Sequence, residues 1–588
     1  MSFSLSTEKF TNRIMHTTTA SSSSSIRVRR DRIFVAACIE QKSNTVIRRS
    51  ANYQPPIWKY DYIQSLKSPF KGEAYNGLAR ELKDGVRIML HKSSDPLLQL
   101  ELIDALQRLG LTYHFDGKIK SILKNMHYDY NHFDSEDLYS TALIFRLLRQ
   151  HGFNVSADVF NIFKDENRSF ETSLCNDVKG MLQLYEASYL LVEGENIMED
   201  ARHFATKHLK EYVKKEDRNL YLSLLVSHAL ELPLHWRITR SEARWFINTY
   251  EIKEDMNPDL LALAKLDFNI VQAIHQDDLR YSSKWWRSTG LVEKLNFARD
   301  RLVENFLWTT GVFFEPEFGN FRRSLAKVNL LITTIDDVYD VYGTLDELEL
   351  FTNAVKRWDI NEVEELPDYM RTCFLTLLDA INEIAFQVLK ERGVCVISYL
   401  KNSWAELCEC YLLEAKWYHN NHMPTLEEYL ENAYISISSP LIITHFYVWT
   451  NDQISTNGSF RTLAEHYPDI IYHASMILRL VDDLATSPDE IKRGDVPKSI
   501  QCYMHETGAT EEEARAYMRK LIDEGWKKLN EACINANYEN SPFSDVFKRT
   551  TMNLIRMAML MYLNGDGHAS QSQESIDRVL SLLVQPVP

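Results

Sequence analysis

Three carboxylates within five positions, Asp336, Asp337 and Asp340, close an apolar run from Val328 to Ile335. On a helix Asp336 and Asp340 share a face, with Asp337 one step round. Acids placed there meet the negative pole of the helix dipole and raise one another's pKa, which argues for a compensating cation. Oxygen-only ligands at this density suit Mg²⁺ or Mn²⁺ rather than zinc. Gly343, just beyond, is expected to stop the helix in the usual glycine C-terminal manner. A second set, Asp482, Thr486 and Glu490, recurs at every fourth position and forms one stripe of two carboxylates and a hydroxyl. Two such stripes facing each other across a bundle would clamp several divalent ions around a polyanion, and a diphosphate fits the way Mg²⁺ shares its shell with phosphate oxygens. Read singly, the first cluster has a plainer alternative as a solvated acidic helix end, which the second cluster makes less favourable.

Four motifs in order resemble the plant terpene synthase family, in its monoterpene branch. They are Asp336-Asp337-x-x-Asp340, then Asp482-Asp483-Leu484-x-Thr486-x-x-x-Glu490, the upstream Arg299-Asp300-Arg301, and Arg48-Arg49 followed after eight residues by Trp58. The similarity runs from about Arg48 to the end of the chain. It implies a class I terpene cyclase: all-α, with an α-barrel-like N-terminal domain and a C-terminal catalytic helical bundle. By resemblance, Asp336, Asp340, Asp482, Thr486 and Glu490 are expected to hold about three Mg²⁺ or Mn²⁺ ions per subunit, and Asp337 to support them by hydrogen bonding. Arg299, Arg301 and Arg479 are expected on the diphosphate, beside Asp336, Asp340 and Asp482. Arg48, Arg49 and the segment near Asp566 are expected to close the site. The implied reaction is metal-dependent ionisation of geranyl diphosphate, rearrangement of the carbocation, and release of a monoterpene by a monomer or homodimer. Protonation-initiated cyclisation is not expected, because the Asp-x-Asp-Asp donor of the related cyclase class is missing from the sequence. Two other readings stay open: a sesquiterpene synthase using farnesyl diphosphate, and a silent subunit that only binds prenyl diphosphates.

Several further residues have the right chemistry. Arg479 stands three positions before Asp482 and shares its stripe, and Lys498 is a weaker anion-binding candidate. Trp308, seven residues after Arg301, is expected on nearly the same helical face. With Trp404, Tyr411 and Tyr562 it offers π faces that stabilise a cation without attacking it, although each is individually more often plain core. In Ser436-Ile437-Ser438-Ser439-Pro440 the proline should break a helix and free carbonyls beside the site. Pro488 should bend the second stripe near Glu490, and Asn564 stands where relatives commonly carry histidine. Asn329, seven residues before Asp336, is expected deeper along the cavity wall, bonded either to a neighbouring helix or to an ordered water.

These residues need long helices to carry them. The spacing predicts helices over Leu260–Ile274, Val292–Thr309, Leu325–Tyr342, Asp368–Lys390, Val396–Tyr418, Leu426–Ser438, Ile470–Thr486, Glu511–Ile534 and Asp545–Leu563. Domain ranges follow: a leader over 1–47, an arginine-bearing strand over 48–57, an N-terminal helical domain over 58–255 and a catalytic domain over 256–588. The leader holds five consecutive serines and seven Lys and Arg against three acids, the composition of an organelle transit peptide, and the resemblance points to the plastid. Across 588 residues the formal net charge is −16, which argues against nucleic acid as a partner. No uninterrupted apolar stretch reaches membrane-spanning length, so no membrane partner is expected. Eight scattered cysteines read as reduced thiols.

Overall fold

The computed structural model describes residues 48–92, 95–129, 137–215, 219–450, 467–493, 496–535, 543–568 and 571–588, with side chains 489–493 excepted. The leader, residues 1–47, lies outside the described residues. The architecture is all-α in two helical domains. Among the described residues the only β-type pairing is an isolated bridge between Lys164 and Phe170.

Local chemistry sets the helix boundaries. Pro258 opens the 31-residue helix Pro258–Ser288, and the Asn257 side chain accepts the Asp259 and Leu260 amides, so the first orphan donors are satisfied. The helix Asp368–Arg392 ends at Gly393 in a left-handed turn with φ 72°. It is long and apolar enough by composition to cross a bilayer, which the sequence reading had not recognised. Half of its apolar window is buried, with Phe374, Leu377, Ile381 and Val388 in the protein core.

The catalytic-side helices match the expected ones at most boundaries: Gly319–Asp337, Ile397–His419, Leu426–Ser436, Asp469–Arg493, Glu511–Asn535 and Asp545–Tyr562. One expected helix is broken. Between Leu291–Lys294 and Leu302–Val312 the chain leaves helical geometry. There the Arg299 amide donates to Asp337 Oδ2 at 2.7 Å, and Asp300 Oδ1 accepts the Trp286 indole N–H at 2.9 Å. Tertiary hydrogen bonds outbid a local pattern that reads as helical. The helix Asp469–Arg493 continues through Pro488. Proline cannot donate to the Leu484 carbonyl, but Arg515 Nη1 does so at 2.8 Å from the Glu511–Asn535 helix.

The two domains lock through named contacts. Trp236 stacks on Trp526 with centroids 5.3 Å apart. Asn530 Nδ2 donates to the Tyr189 and Leu191 carbonyls, and its Oδ1 meets His235 Nε2 at 2.8 Å.

Candidate active site

The aspartate-rich helix ends by widening. After Asp337 the turn Val338–Tyr342 is π-helical, closed by the Gly343 amide on the Val338 carbonyl at 2.8 Å. Gly343 itself is extended, with φ −68°, so the expected left-handed stop is not what ends this helix. Glycine is needed for another reason: a Cβ there would lie 2.5 Å from a Leu348 methyl and 2.9 Å from the Val338 oxygen. Chain turns at once into Leu345–Arg357, whose start is a capping box between Thr344 and Glu347.

The negative helix end is compensated from the N-terminal segment. Arg48 Nη1 donates to the Tyr342 carbonyl at 2.9 Å, and Arg49 Nη1 to the Asp340 carbonyl at 3.0 Å. Arg48 also lies 4.4 Å over the Tyr342 ring, and Arg49 4.3 Å over the Tyr418 ring. Two guanidinium groups thus neutralise the carbonyls that make this a hostile place for acids.

A cavity of about 170 Å³ brings both stripes together. Asp336 and Asp340 line it from one helix, Arg479, Asp482 and Thr486 from another, and Arg299, Lys498 and Asp566 complete its polar part. The carboxylates rest on arginines. Arg299 reaches Asp336 through Nη2, and Arg479 pairs with both Asp482 and Asp483. Thr486 Oγ1 donates to the Asp482 carbonyl at 3.0 Å, which leaves its lone pairs for another partner.

Asp337 and Asp483 play a different part from their neighbours. Both are fully buried. Asp337 takes the backbone amide and Nε of Arg299, and burial pushes its pKa up although Arg299 pulls the other way. Asp483 accepts the Tyr429 hydroxyl at 3.0 Å, the Ser499 amide at 3.2 Å and Arg479 at 2.6 Å. They fasten the arginines that the cavity uses.

The apolar wall carries Trp308, Tyr411, Tyr562, Ile332, Ile442, Leu478 and Leu554. Trp308 and Tyr562 lie with centroids 6.1 Å apart. Trp404 does not reach the cavity; it is fully buried in the core. Arg301 does not line the cavity either. It stands just before the Leu302–Val312 helix rather than within it, so the seven-residue spacing to Trp308 does not apply, and its Nη1 holds the Gln54 carbonyl at 3.2 Å. The helix break before Pro440 is present: Leu426–Ser436 ends, Ser438 adopts φ 66°, and Ser436, Ile437 and Ser438 line the cavity. Glu490 has a helical backbone, but its side chain lies outside the described residues.

Three polar lining residues, besides the aliphatic ones, escaped the sequence reading. Tyr53 comes from the N-terminal segment, with Arg299 5.1 Å over its ring, and burial drives its phenol pKa upward. Asn305 bonds Thr333 Oγ1 at 3.1 Å on the cavity wall. His568 lies two residues after Asp566, whose Oδ1 accepts the His568 amide at 3.0 Å. Burial, with Arg299 and Arg301 nearby, holds the His568 imidazole down at about 3, so the ring is neutral, and its Nδ1 has no hydrogen-bond partner.

The acids and the hydroxyl of the two stripes offer oxygen donors, which fits a hard divalent ion. Among the described residues no three acids, histidines or cysteines gather closely enough to hold an ion unaided.

Comparison with known proteins agrees with this arrangement. Residues 57–230 match the family model "Terpene synthase, N-terminal domain", and 287–528 match "Terpene synthase family, metal binding domain". A chloroplastic myrcene synthase of Quercus ilex is 57% identical over 550 residues, covering 93% of this chain and 91% of the relative. The structure of limonene synthase with 2-fluorolinalyl diphosphate superposes with a TM-score of 0.89 at 46% identity, over 92% of this chain and 100% of that one. Isoprene synthase from grey poplar leaves, in complex with three Mg²⁺ ions and dimethylallyl-S-thiolodiphosphate, gives 0.82 at 46% identity, over 90% and 99%. With both domains matched and both carboxylate stripes on one cavity, the chain belongs to the terpene synthase family.

Proposed function

We propose that the protein is a monoterpene synthase that ionises geranyl diphosphate, rearranges the carbocation within the cavity, and releases a monoterpene and diphosphate. The observation that carries this reading is the single cavity on which acids of two helices, two arginines and an aromatic wall meet. The kinship with myrcene and limonene synthases supports a ten-carbon substrate.

Asp336, Asp340, Asp482 and Thr486, with Glu490 as the expected fifth ligand, would hold Mg²⁺ or Mn²⁺, about three ions by family resemblance. Bound there, the ions would supply the positive charge that makes diphosphate a good leaving group. Arg299 and Arg479 already lie on the ligand carboxylates, so they can turn from those acids to the diphosphate oxygens as the acids take up metal. Asp337 and Asp483 hold those two guanidinium groups in place during the exchange. Arg301, through Gln54, holds the N-terminal segment over the site, and Arg48 and Arg49 hold it to the metal-binding helix. Trp308, Tyr411 and Tyr562 face the hydrocarbon with π clouds and exclude bulk water. Neutral His568 can accept the proton that ends the reaction at Nδ1. The Ser- and Arg-rich leader and the chloroplastic naming of the Quercus ilex relative support action in the plastid.

The test is volatile analysis of purified protein with geranyl or farnesyl diphosphate and Mg²⁺. Ten-carbon products from geranyl diphosphate, lost in EDTA, are expected. Turnover of farnesyl diphosphate alone, or activity that persists in EDTA, overturns the proposal.

A further inference from the structure

A second cavity, of about 280 Å³, lies where the two domains meet, lined by residues of both. Seven cations line it: Arg108, Lys120, Arg149, Arg237, Lys548, Arg549 and Arg556. Six of them sit on carboxylates. Arg108 pairs with Glu242, Arg149 with Glu195, Arg237 with Glu231, Arg549 with Glu315, Lys120 with Asp116 and Asp545, and Lys548 with Asp545. Among the described residues Arg556 sits on none.

The groups that Arg556 touches are neutral. Arg556 Nε donates to the His235 carbonyl at 2.7 Å and Nη1 to Asn553 Oδ1 at 3.0 Å, while Nη2 lies 3.5 Å from His235 Nδ1. Both side chains are fixed in accepting orientation. Asn553 spends its amide N–H on the Val312 carbonyl at 3.2 Å, so its oxygen faces the arginine. Asn530 spends both N–H groups on the Tyr189 and Leu191 carbonyls, so its Oδ1 must accept from His235 Nε2–H, which leaves His235 Nδ1 as an acceptor. Burial holds the His235 imidazole down at about 3, so this histidine is neutral, and burial also pulls Arg556 down to about 10, as expected of a half-buried cation with no acid paired to it among the described residues. Of five guanidinium N–H donors, three are engaged and two remain.

A half-buried, oriented cation with spare donors and, among the described residues, no acid paired to it, in a cavity large enough for a small ligand, is costly unless something anionic completes it. We propose that this interdomain cavity is a binding site for a phosphoryl oxyanion, with Arg556 as its anchor. A phosphate group takes two parallel N–H donors from a guanidinium and brings the missing charge. Because its walls come from both domains, an occupant would join them and stabilise their contact. Its source is either free inorganic phosphate or the diphosphate product.

The test is thermal unfolding of the full chain in EDTA, titrated with sodium phosphate or sodium diphosphate against chloride at equal ionic strength. A rise of about 1–3 °C over chloride, growing with the logarithm of anion concentration, is expected at tenfold excess over Kd. Arg556→Met should lose this anion-specific rise while unfolding as cooperatively as the wild type. Arg479→Ala, which alters the catalytic cavity instead, should keep it. If Arg556→Met does not fold, Arg556→Lys serves, and its fitted Kd should rise at least about threefold because the fork geometry is lost. A phosphate Kd at or below that of diphosphate assigns the site to inorganic phosphate, and a lower diphosphate Kd assigns it to the product. The proposal is overturned by a wild type that responds to phosphate no more than to chloride, by an unchanged response in both Arg556 variants, or by a response lost only in Arg479→Ala.

Discussion

Arg48 grips Glu347 with two hydrogen bonds of 2.8 Å, across 299 positions of the chain. The carboxylate is shared: Glu347 Oε2 also accepts the Thr344 amide at 3.1 Å and the Tyr369 hydroxyl at 2.9 Å. One acid therefore caps a helix and fastens the N-terminal segment over the aspartate-rich turn. Burial alone would push Glu347 up, but the hydrogen bonds from Arg48, Thr344 and Tyr369 outweigh it and bring the acid to about 2.

That clasp should fail in acid. The folded value lies below the ordinary 4.5, so its contribution is full above about pH 4.5 and fades as pH falls towards 2. Protection of residues 48–57 from an acid-tolerant protease should fade over that window in the wild type, and be weak at every pH in Glu347→Gln. Arg48→Ala should raise the undocked population about ten- to hundredfold, for a loss of about 1–3 kcal/mol. Turnover should drop, and bulk helicity should not.

Adjacent aspartates should part company on mutation. Asp483→Asn strips a fully buried charge from Arg479 and should cost about 3 kcal/mol, seen as a fall of several degrees in Tm. Asp482→Asn, on the cavity, should leave Tm within about 2 °C and lower turnover roughly a thousandfold. The opposite pattern, stability lost at Asp482 and turnover at Asp483, would reverse their assigned parts.

Asn329 lines the catalytic cavity, and its Oδ1 is buried without a hydrogen-bond partner, so the neighbouring-helix partner weighed from the sequence is not there. The open acceptor is suited to a water that attacks a tertiary cation. Where the wild type makes monoterpene alcohols or ethers, Asn329→Ile should shift its products towards olefins at similar total turnover. An unchanged alcohol-to-olefin ratio rejects this part for Asn329.

His568 should not titrate between pH 5 and 8 in the folded enzyme, since it sits near 3. Its depressed value means that unfolding takes up a proton below about pH 6.5, so this residue costs stability progressively as pH falls from there. His568→Phe should flatten that part of the acid dependence of Tm. It should also change which carbon loses the final proton, read as a new olefin distribution with substrate consumption within about threefold.

The sequence was most legible where order is local. Apolar periodicity placed Ile397–His419 and Asp545–Tyr562 within a residue, and the acid spacing picked out Asp336, Asp340, Asp482 and Thr486, which line one cavity. It was misleading where distant groups decide. Leu295, Phe297 and Ala298 continue a helical pattern, yet Asp337, thirty-eight positions from Arg299, unwinds the backbone by taking its amide. Pro488 lies inside a helix that continues past it, where Arg515 donates to the Leu484 carbonyl that proline leaves open. Tyr53 stands in an extended segment with no periodicity to flag it, and His568 becomes notable only beside Arg299 and Arg301.

The tandem arginines also set an order of events in the life of the chain. Arg48 and Arg49 leave the ribosome well before the carbonyls of Asp340 and Tyr342 that they cap, a lag of about 15–60 s at roughly 5–20 residues per second. Until then they have nothing to grip, and the entropy of closing so long a loop must be met all at once. Sealing of the catalytic cavity is therefore a late act of folding, available only to a chain whose second domain already exists, and a truncated product cannot assemble a closed site.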